Sequence, residues 1–541
     1  MKIREMLVAG LWLGGPFIAL QSALAQGSLT PPGAPAPTMK TLSQIEPRTP
    51  ISSLPFAITA PGSYYATSNL TGVSGQNGIT VSANNVTIDL SGFNLAGVAG
   101  SSNGVYVSAN VTNLAVRHGN ISGWGLLGVN ANTAYNAQFG DLRVSGCGTD
   151  GMDVGFFNLI SRCQVVSNGH EGFFGNCTAC TFENCVASQN VGWGIVTYDR
   201  CELLNCSADN NGQDGFNLYP NCILRDCTAT DNGGTGIYCP YTSCQFIHCD
   251  CCSNTSTGIS AGLGCALESC TANSNGNDGI MTLDNCTLRG CSASQNSPSG
   301  ISTGNNCTAE NCTASANSQF GLFTGNNCTL TGCTISGNQS NNVTTGAGCS
   351  LSLCSAGTST GGHGFALGVG NTAIGCTAYS NGSNGFDAGD RDLLQNCGAT
   401  FNSYAGIHIN YLGTVEHCKC GNNGYYGILS DTAGYGSILQ NDCSFNGLTG
   451  FSGTPSHGAG IYVTNSVEFT IDGNVANINW IGINVASNNN ALIVRNSVSG
   501  SISTAYSFGT GNSWGPIVTV TGVGDISTTA NANQPTANFV H

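Results

Sequence analysis

Few residues in this chain have side chains suited to chemistry, and they gather in two places. The most charged window holds Asp387, Asp390, Arg391, Asp392, His408, Glu416, His417 and Lys419, with Tyr404 and Tyr411. Removing a proton next to a uronate carboxylate takes a cation to neutralise that carboxylate and a base to accept the proton. Arg391 suits the first role, and His408, with Asp387 beside it, suits the second. The spacing Asp387-x-x-Asp390-x-Asp392 also suits Ca²⁺, which takes hard oxygen ligands. Neither chemistry requires another cofactor. The bland alternative is a solvated, salt-bridged corner.

The second group is Asp150, Glu171, Trp193 and Asp214, each just before a Gly-aliphatic pair or the Asp-Gly of one. Carboxylates beside an indole suit sugar hydroxyls and a sugar ring face, so these four and Tyr411 are the expected substrate-binding residues. Ordinary turn residues would look the same. A metal is suspected at one other point, Cys249-Asp250-Cys251-Cys252 with Cys244 and His248 nearby, although alternating strand faces argue against a tetrahedral site there.

These residues are positioned by a repeat. Cysteine recurs from Cys163 to Cys418 at intervals of 21 or 22 residues, and a second cysteine stands five residues before most of the first. A fixed period of this length marks a solenoid, whose repeats bury a core only by stacking. The regular coil reads Cys201-x-Leu-x-x-Cys206-x-Ala-x-x-Asn211, followed by a Gly-aliphatic pair. Side chains alternate faces along a strand, so a corner between Leu203 and Cys206 is needed to turn Cys201, Leu203, Cys206 and Ala208 all inward. A third strand starts at the Gly-Ile pair, with Ile195, Phe216, Ile237, Phe386 and Ile407 inward and the next residue outward. Asp387 and His408 then fall in one outward column, about 4.8 Å apart per coil. Between the second strand and the Gly-Ile strand runs an asparagine column, Asn168 to Asn423, suited to left-handed corners and to amide stacking.

The stacked asparagines, the two-residue corner and the Gly-Ile strand resemble a right-handed parallel β-helix of the pectate-lyase-like superfamily. The expected fold is all-β, a single right-handed parallel β-helix of about 21 residues per coil, with three short strands per coil and terminal caps. The resemblance implies a right-handed coil and substrate along the Gly-Ile strand face. Thr149-Asp150-Gly151-Met152-Asp153 resembles part of the polygalacturonase motif Asn-Thr-Asp-Gly-x-Asp. Gly148 replaces its first residue, His170-Glu171 stand where paired aspartates belong, and Gly362-His363-Gly364 lies about ten coils away. A leucine-rich repeat is the rival, since Leu203-x-x-Cys206-x-Ala208-x-x-Asn211 fits its spacing.

Expected boundaries are a signal peptide over 1–25 cleaved after Ala25, a Pro-rich linker and N-terminal cap over 26–55, the β-helix over 56–500 and a C-terminal cap over 501–541. Charged residues are 8% and the net charge is −15, which argues against nucleic acid and anionic membranes. Nothing after the leader reads as a transmembrane segment. The 29 cysteines read mainly as free thiols lining the core, because in-register side chains point the same way and make poor disulfides. The expectation is a secreted, periplasmic or cell-surface monomer that binds extracellular polysaccharide or builds a surface structure. The alternatives are a lyase or related enzyme acting on a uronate-containing glycan, and an adhesin-like protein-binding surface.

Overall fold

Each coil of the computed structural model consists of three short strands, as in Ile195–Thr197, Glu202–Leu204 and Ser207–Asp209. The model describes residues 46–175, 177–431, 434–448, 457–487 and 489–541. The expected signal peptide, and the linker up to residue 45, lie outside these residues. Every strand pairs in parallel with its counterpart one coil on: Ile195↔Phe216, Leu203↔Leu224, Ala208↔Ala229. The all-β solenoid is as expected, and no leucine-rich-repeat helix occurs among the described residues. Parallel pairing starts with Thr49–Ile51 on Gly62–Ala66 and ends with Asn538–Val540 on Ser497–Ser499. It therefore runs through segments expected to be linker and caps. No helix among the described residues is long and apolar enough to cross a membrane.

The corners explain the sequence period. Single residues with positive φ interrupt the strands at Arg200, Asn205 and Asn210. Each left-handed residue turns the chain and aims the next side chain (Cys201, Cys206, Asn211) into the core. The asparagine column was expected to occupy the left-handed positions itself. Instead the positive φ falls one residue earlier, on Gln189, Asn210 or Asp231, and the column residue has a different task. Asn211 Nδ2 donates to Asn232 Oδ1 at 3.1 Å and to the Ala187 carbonyl at 3.0 Å, while Asn232 Oδ1 accepts the Asn211 backbone N–H at 3.1 Å. The ladder thus satisfies backbone groups that the corner takes out of strand pairing, away from water.

The cysteines stand in the same geometry. Cys206 Sγ faces the carbonyls of Phe182 and Leu204 at 3.5 and 3.4 Å. Where the thiol column ends, asparagine continues it. Asn441 Oδ1 accepts the Cys418 N–H at 2.8 Å, and Asn441, Asn474, Asn496 and Asn538 form the ladder beyond. The other cysteine column begins from Asn158 and passes to Asn371 and Asp392. Thiol and amide are thus alternatives at one kind of corner. All 29 cysteines are free, and all but Cys252 are buried. Cys249 and Cys251 point inward and Cys252 lies half-exposed, so the sequence cluster around Cys249 does not converge. The thiols that do converge are Cys239, Cys244 and Cys265.

The Gly of the Gly-Ile pair leaves room for the ladder. A Cβ on Gly215 would lie 2.7 Å from the Gly236 carbonyl oxygen and 2.8 Å from Asn232 Nδ2, closer than real contacts allow. One coil breaks both rules at once. Ser359 stands where the ladder calls for asparagine, and Asn342 stands where the column calls for glycine. The Asn342 amide fills the gap, accepting from Asn338 Nδ2 at 2.8 Å and donating to Asn381 Oδ1 at 3.0 Å.

Two substitutions follow from this corner chemistry. Asn342→Ala removes one of the two acceptors of the buried Asn338 amide, leaving the Ala314 carbonyl at 3.3 Å, and is expected to cost about 1–3 kcal/mol in denaturant unfolding. Cys418→Asn extends an existing ladder by one rung and is expected to stay within about 1 kcal/mol of the parent.

Candidate functional site

The outward column of the Gly-Ile strand carries its chemistry where coils 365, 386, 407 and 428 stack. Asp387 pairs with His408 in register. His408 Nδ1 meets Asp387 Oδ1 at 2.6 Å, and its Nε2 meets Asp431 Oδ1 at 2.8 Å. Both partners are carboxylates, so both ring nitrogens must donate and the ring is an imidazolium. Burial alone would push His408 down, but the bonds to Asp387 and Asp431 outweigh it and hold its pKa above the ordinary value. Burial opposes ionisation of Asp387 as well, and the bond from His408 and the nearby His363 and His408 charges bring it below the usual range. His363 Nε2 lies 3.7 Å from Asp387 Oδ2, and burial lowers its pKa despite that carboxylate.

Tyrosines surround this row. Tyr426 stacks on Tyr462 with centroids 5.2 Å apart and meets Tyr404 edge-on at 5.7 Å. Burial raises both Tyr404 and Tyr426, the latter to about 12, with the Asp431 charge adding to each. These phenols therefore keep their protons and serve as ring faces and O–H donors, not as bases. His457 and Trp480 lie edge to face at 4.4 Å on the following coils.

The coil separates the rest of the charged window. Asp392 is the inward residue of a corner. Its oxygens accept the Asn371 and Gly389 N–H groups at 2.6 and 2.7 Å, and burial lifts its pKa to about 7. The ligand atoms of Asp387, Asp390 and Asp392 do not all lie within 4.8 Å of one another among the described residues. Arg391 is the left-handed residue of that corner, and no ion pair or hydrogen bond of its guanidinium occurs among the described residues. The Tyr411 ring meets Tyr435, 5.9 Å away. Glu416 accepts from Gln395 on the middle strand, and His417 and Lys419 line a separate cavity of about 350 Å³. Of the three expected catalytic residues, Asp387 and His408 meet and Arg391 stands apart. His363 and Asp431 went unread. His363 belongs to the Gly-His-Gly rejected for its distance from Asp150, and Asp431 stands three residues after its inward Ile428, not one.

The earlier strip also stacks as expected. Asp150 Oδ1 accepts the Glu171 N–H at 3.1 Å, and Asp214 Oδ1 accepts the Thr235 N–H at 2.7 Å. Burial raises Asp214, and the bonds from Thr235, Trp193 and Asn217 only moderate it. Asp278 repeats this bond to Ser299 at 3.0 Å, so part of the strip is structural. The Asp150, His170 and Glu171 ligand atoms lie within 4.8 Å of one another, closer than the roughly 5–9.5 Å that separates glycosidase carboxyls. A third charged group, also unread, is Asp89, His118, Asp141 and Arg162 on the other sheet faces. Its Arg162 pairs bidentately with Asp141 at 2.7 and 2.8 Å beside a cavity of about 590 Å³.

The cluster sets a pH window. The raised His408 pKa contributes stability that is complete below about 6.5 and lost as pH rises through the folded value. The lowered Asp387 pKa contributes stability that is complete above about 3.9 and lost as pH falls through its folded value. The His408 ring is expected to titrate in NMR with a midpoint above about 6.5, and Asp431→Asn is expected to bring the midpoint down.

Comparison with known proteins finds one family model and several solved structures similar to this chain. The family described as right handed beta helix region matches residues 103–266 and 240–361. Among solved structures, pectate lyase Pel9A aligns at 15% identity with a TM-score of 0.32, covering 44% of this chain and 72% of its own. The A-module of mannuronan C-5 epimerase AlgE4 from Azotobacter vinelandii aligns at 13% and 0.27, covering 63% and 87%. A bacteriophage CBA120 tailspike protein aligns at 10% and 0.27, covering 66% and 57%. No curated protein matches the chain. The repeat, the corners and the family match over residues 103–361 agree on a right-handed parallel β-helix fold.

Proposed function

We propose that this is an exported β-helix protein that binds a neutral polysaccharide along the outward face of its Gly-Ile strand, between His363 and Tyr462. The observation that carries this reading is the composition of the row. Two aspartates face one imidazolium, with Tyr404, Tyr426 and Tyr462 beside them. Aspartate oxygens accept sugar hydroxyls, tyrosine rings stack on sugar faces, and the repeat offers successive sugars similar surroundings at each coil. Among the described residues no hydrogen bond to the second Asp431 oxygen occurs once His408 takes the first, and its side chain is 37% exposed.

Charge decides between this and lyase action on a uronate. The row has an excess of negative charge, because Asp387 and Asp431 both face His408, burial lowers the pKa of His363, and no arginine or lysine bonds to these aspartates among the described residues. A uronate carboxylate there would meet repulsion where it needs a cation. Below its raised pKa, His408 carries a proton on both nitrogens and cannot accept another. The charge of the assembled row therefore favours neutral sugars over the lyase reading.

Binding is tested on panels of neutral glucans, xylans and mannans beside pectate and alginate. Retention on at least one neutral glycan is expected, and loss of one stacking face in Tyr426→Ala is expected to weaken it roughly tenfold. Tighter binding to polyuronates, or unsaturated product absorbance from them, would overturn the assignment.

A further inference from the structure

A second cluster, several coils before the tyrosine row, has the donors of a metal site. Asp150 stands just before Gly151, and His170-Glu171 stand at the same place one coil on. His170 Nδ1 lies 3.1 Å from Asp150 Oδ1 and also contacts Glu171 Oε2. One ring nitrogen has either one proton or one lone pair, so it cannot satisfy two carboxylates by ordinary hydrogen bonding. A cation at the convergence point would satisfy all three groups.

The surroundings support a ligand there. Glu171 is 1% exposed, and its Oε1 is buried without a hydrogen-bond partner among the described residues. Asp153 Oδ1 and Thr149 Oγ1, within the same turn and strand, are also buried and unpartnered. Buried polar atoms in folded proteins are nearly always satisfied. The contrast with the later coils is informative. Asp214 and Asp278 stand at positions equivalent to Asp150 and Glu171, but each is a single carboxylate that bonds the next coil's N–H. Only at Asp150, His170 and Glu171 do the ligand atoms of two carboxylates and an imidazole all lie within 4.8 Å of one another among the described residues.

We propose that Asp150, His170 and Glu171 bind one divalent cation of the zinc class. One nitrogen and two oxygens suit a borderline ion of low coordination number. Ca²⁺ takes six to eight oxygens, which this turn does not supply. His170 is 58% exposed along its side chain, so the ion has a path from solvent and its remaining position faces water.

The many thiols make Co²⁺ the better probe. Added to metal-stripped full-length protein, it should bind one equivalent with weak visible bands and no thiolate-to-cobalt charge transfer. Zn²⁺ should displace it and a tenfold excess of Ca²⁺ should not. His170→Ala, at an exposed position, should keep the fold by circular dichroism and weaken binding at least tenfold. Asp278→Asn should leave it unchanged. A thiolate charge-transfer band, no saturable binding, or undiminished binding in His170→Ala would each overturn the proposal.

Discussion

Everything in this molecule depends on the satisfaction of backbone groups at left-handed corners. A strand can pair with its neighbours above and below, but a corner cannot, and here three corners per coil lie against a dry core. The solution is a side chain, set just after the left-handed residue, that bonds the coil next to it. Asparagine does this with a full amide, as Asn211 does with Asn232. Cysteine does it with a weaker donor that also counts as a small apolar filling. The glycine before each inward Ile exists because that amide needs its space.

This constraint accounts for both the regularity and the exceptions. Where Ser359 interrupts the amide column, Asn342 occupies the glycine site and bridges it. Where the thiol columns end, Asn371, Asp392 and Asn441 take their places. Asp392 is informative for function. In the sequence it stands in a charged window and looks like a ligand, and in the fold it is a corner residue whose two oxygens are committed to backbone N–H groups.

The same rule separates what could be read from the sequence from what could not. The period, the inward Ile and Phe residues and the pairing of Asp387 with His408 were legible, because strand alternation and a fixed repeat place them without further information. The left-handed position was misplaced by one residue, since Asn at the ladder and Asn before it look alike in sequence. Asp431 and His363 were missed because they join the row from turns whose lengths vary, at Ile428 plus three and Phe365 minus two. Arg391 was assigned to the site because it is near in sequence. A coil of this length sends residues four positions apart, as Asp387 and Arg391 are, to different faces, so nearness along the chain is a poor guide to nearness in space.

The account holds that one outward column, not the thiol-backed sheet faces, carries the function. Hydrogen–deuterium exchange with and without a bound neutral oligosaccharide tests this most directly. Protection is expected over residues 404–408, 425–431 and 459–462, with the middle and last strands of the same coils unchanged. Protection centred on the middle and last strands, around Glu416 and Lys419, would contradict it.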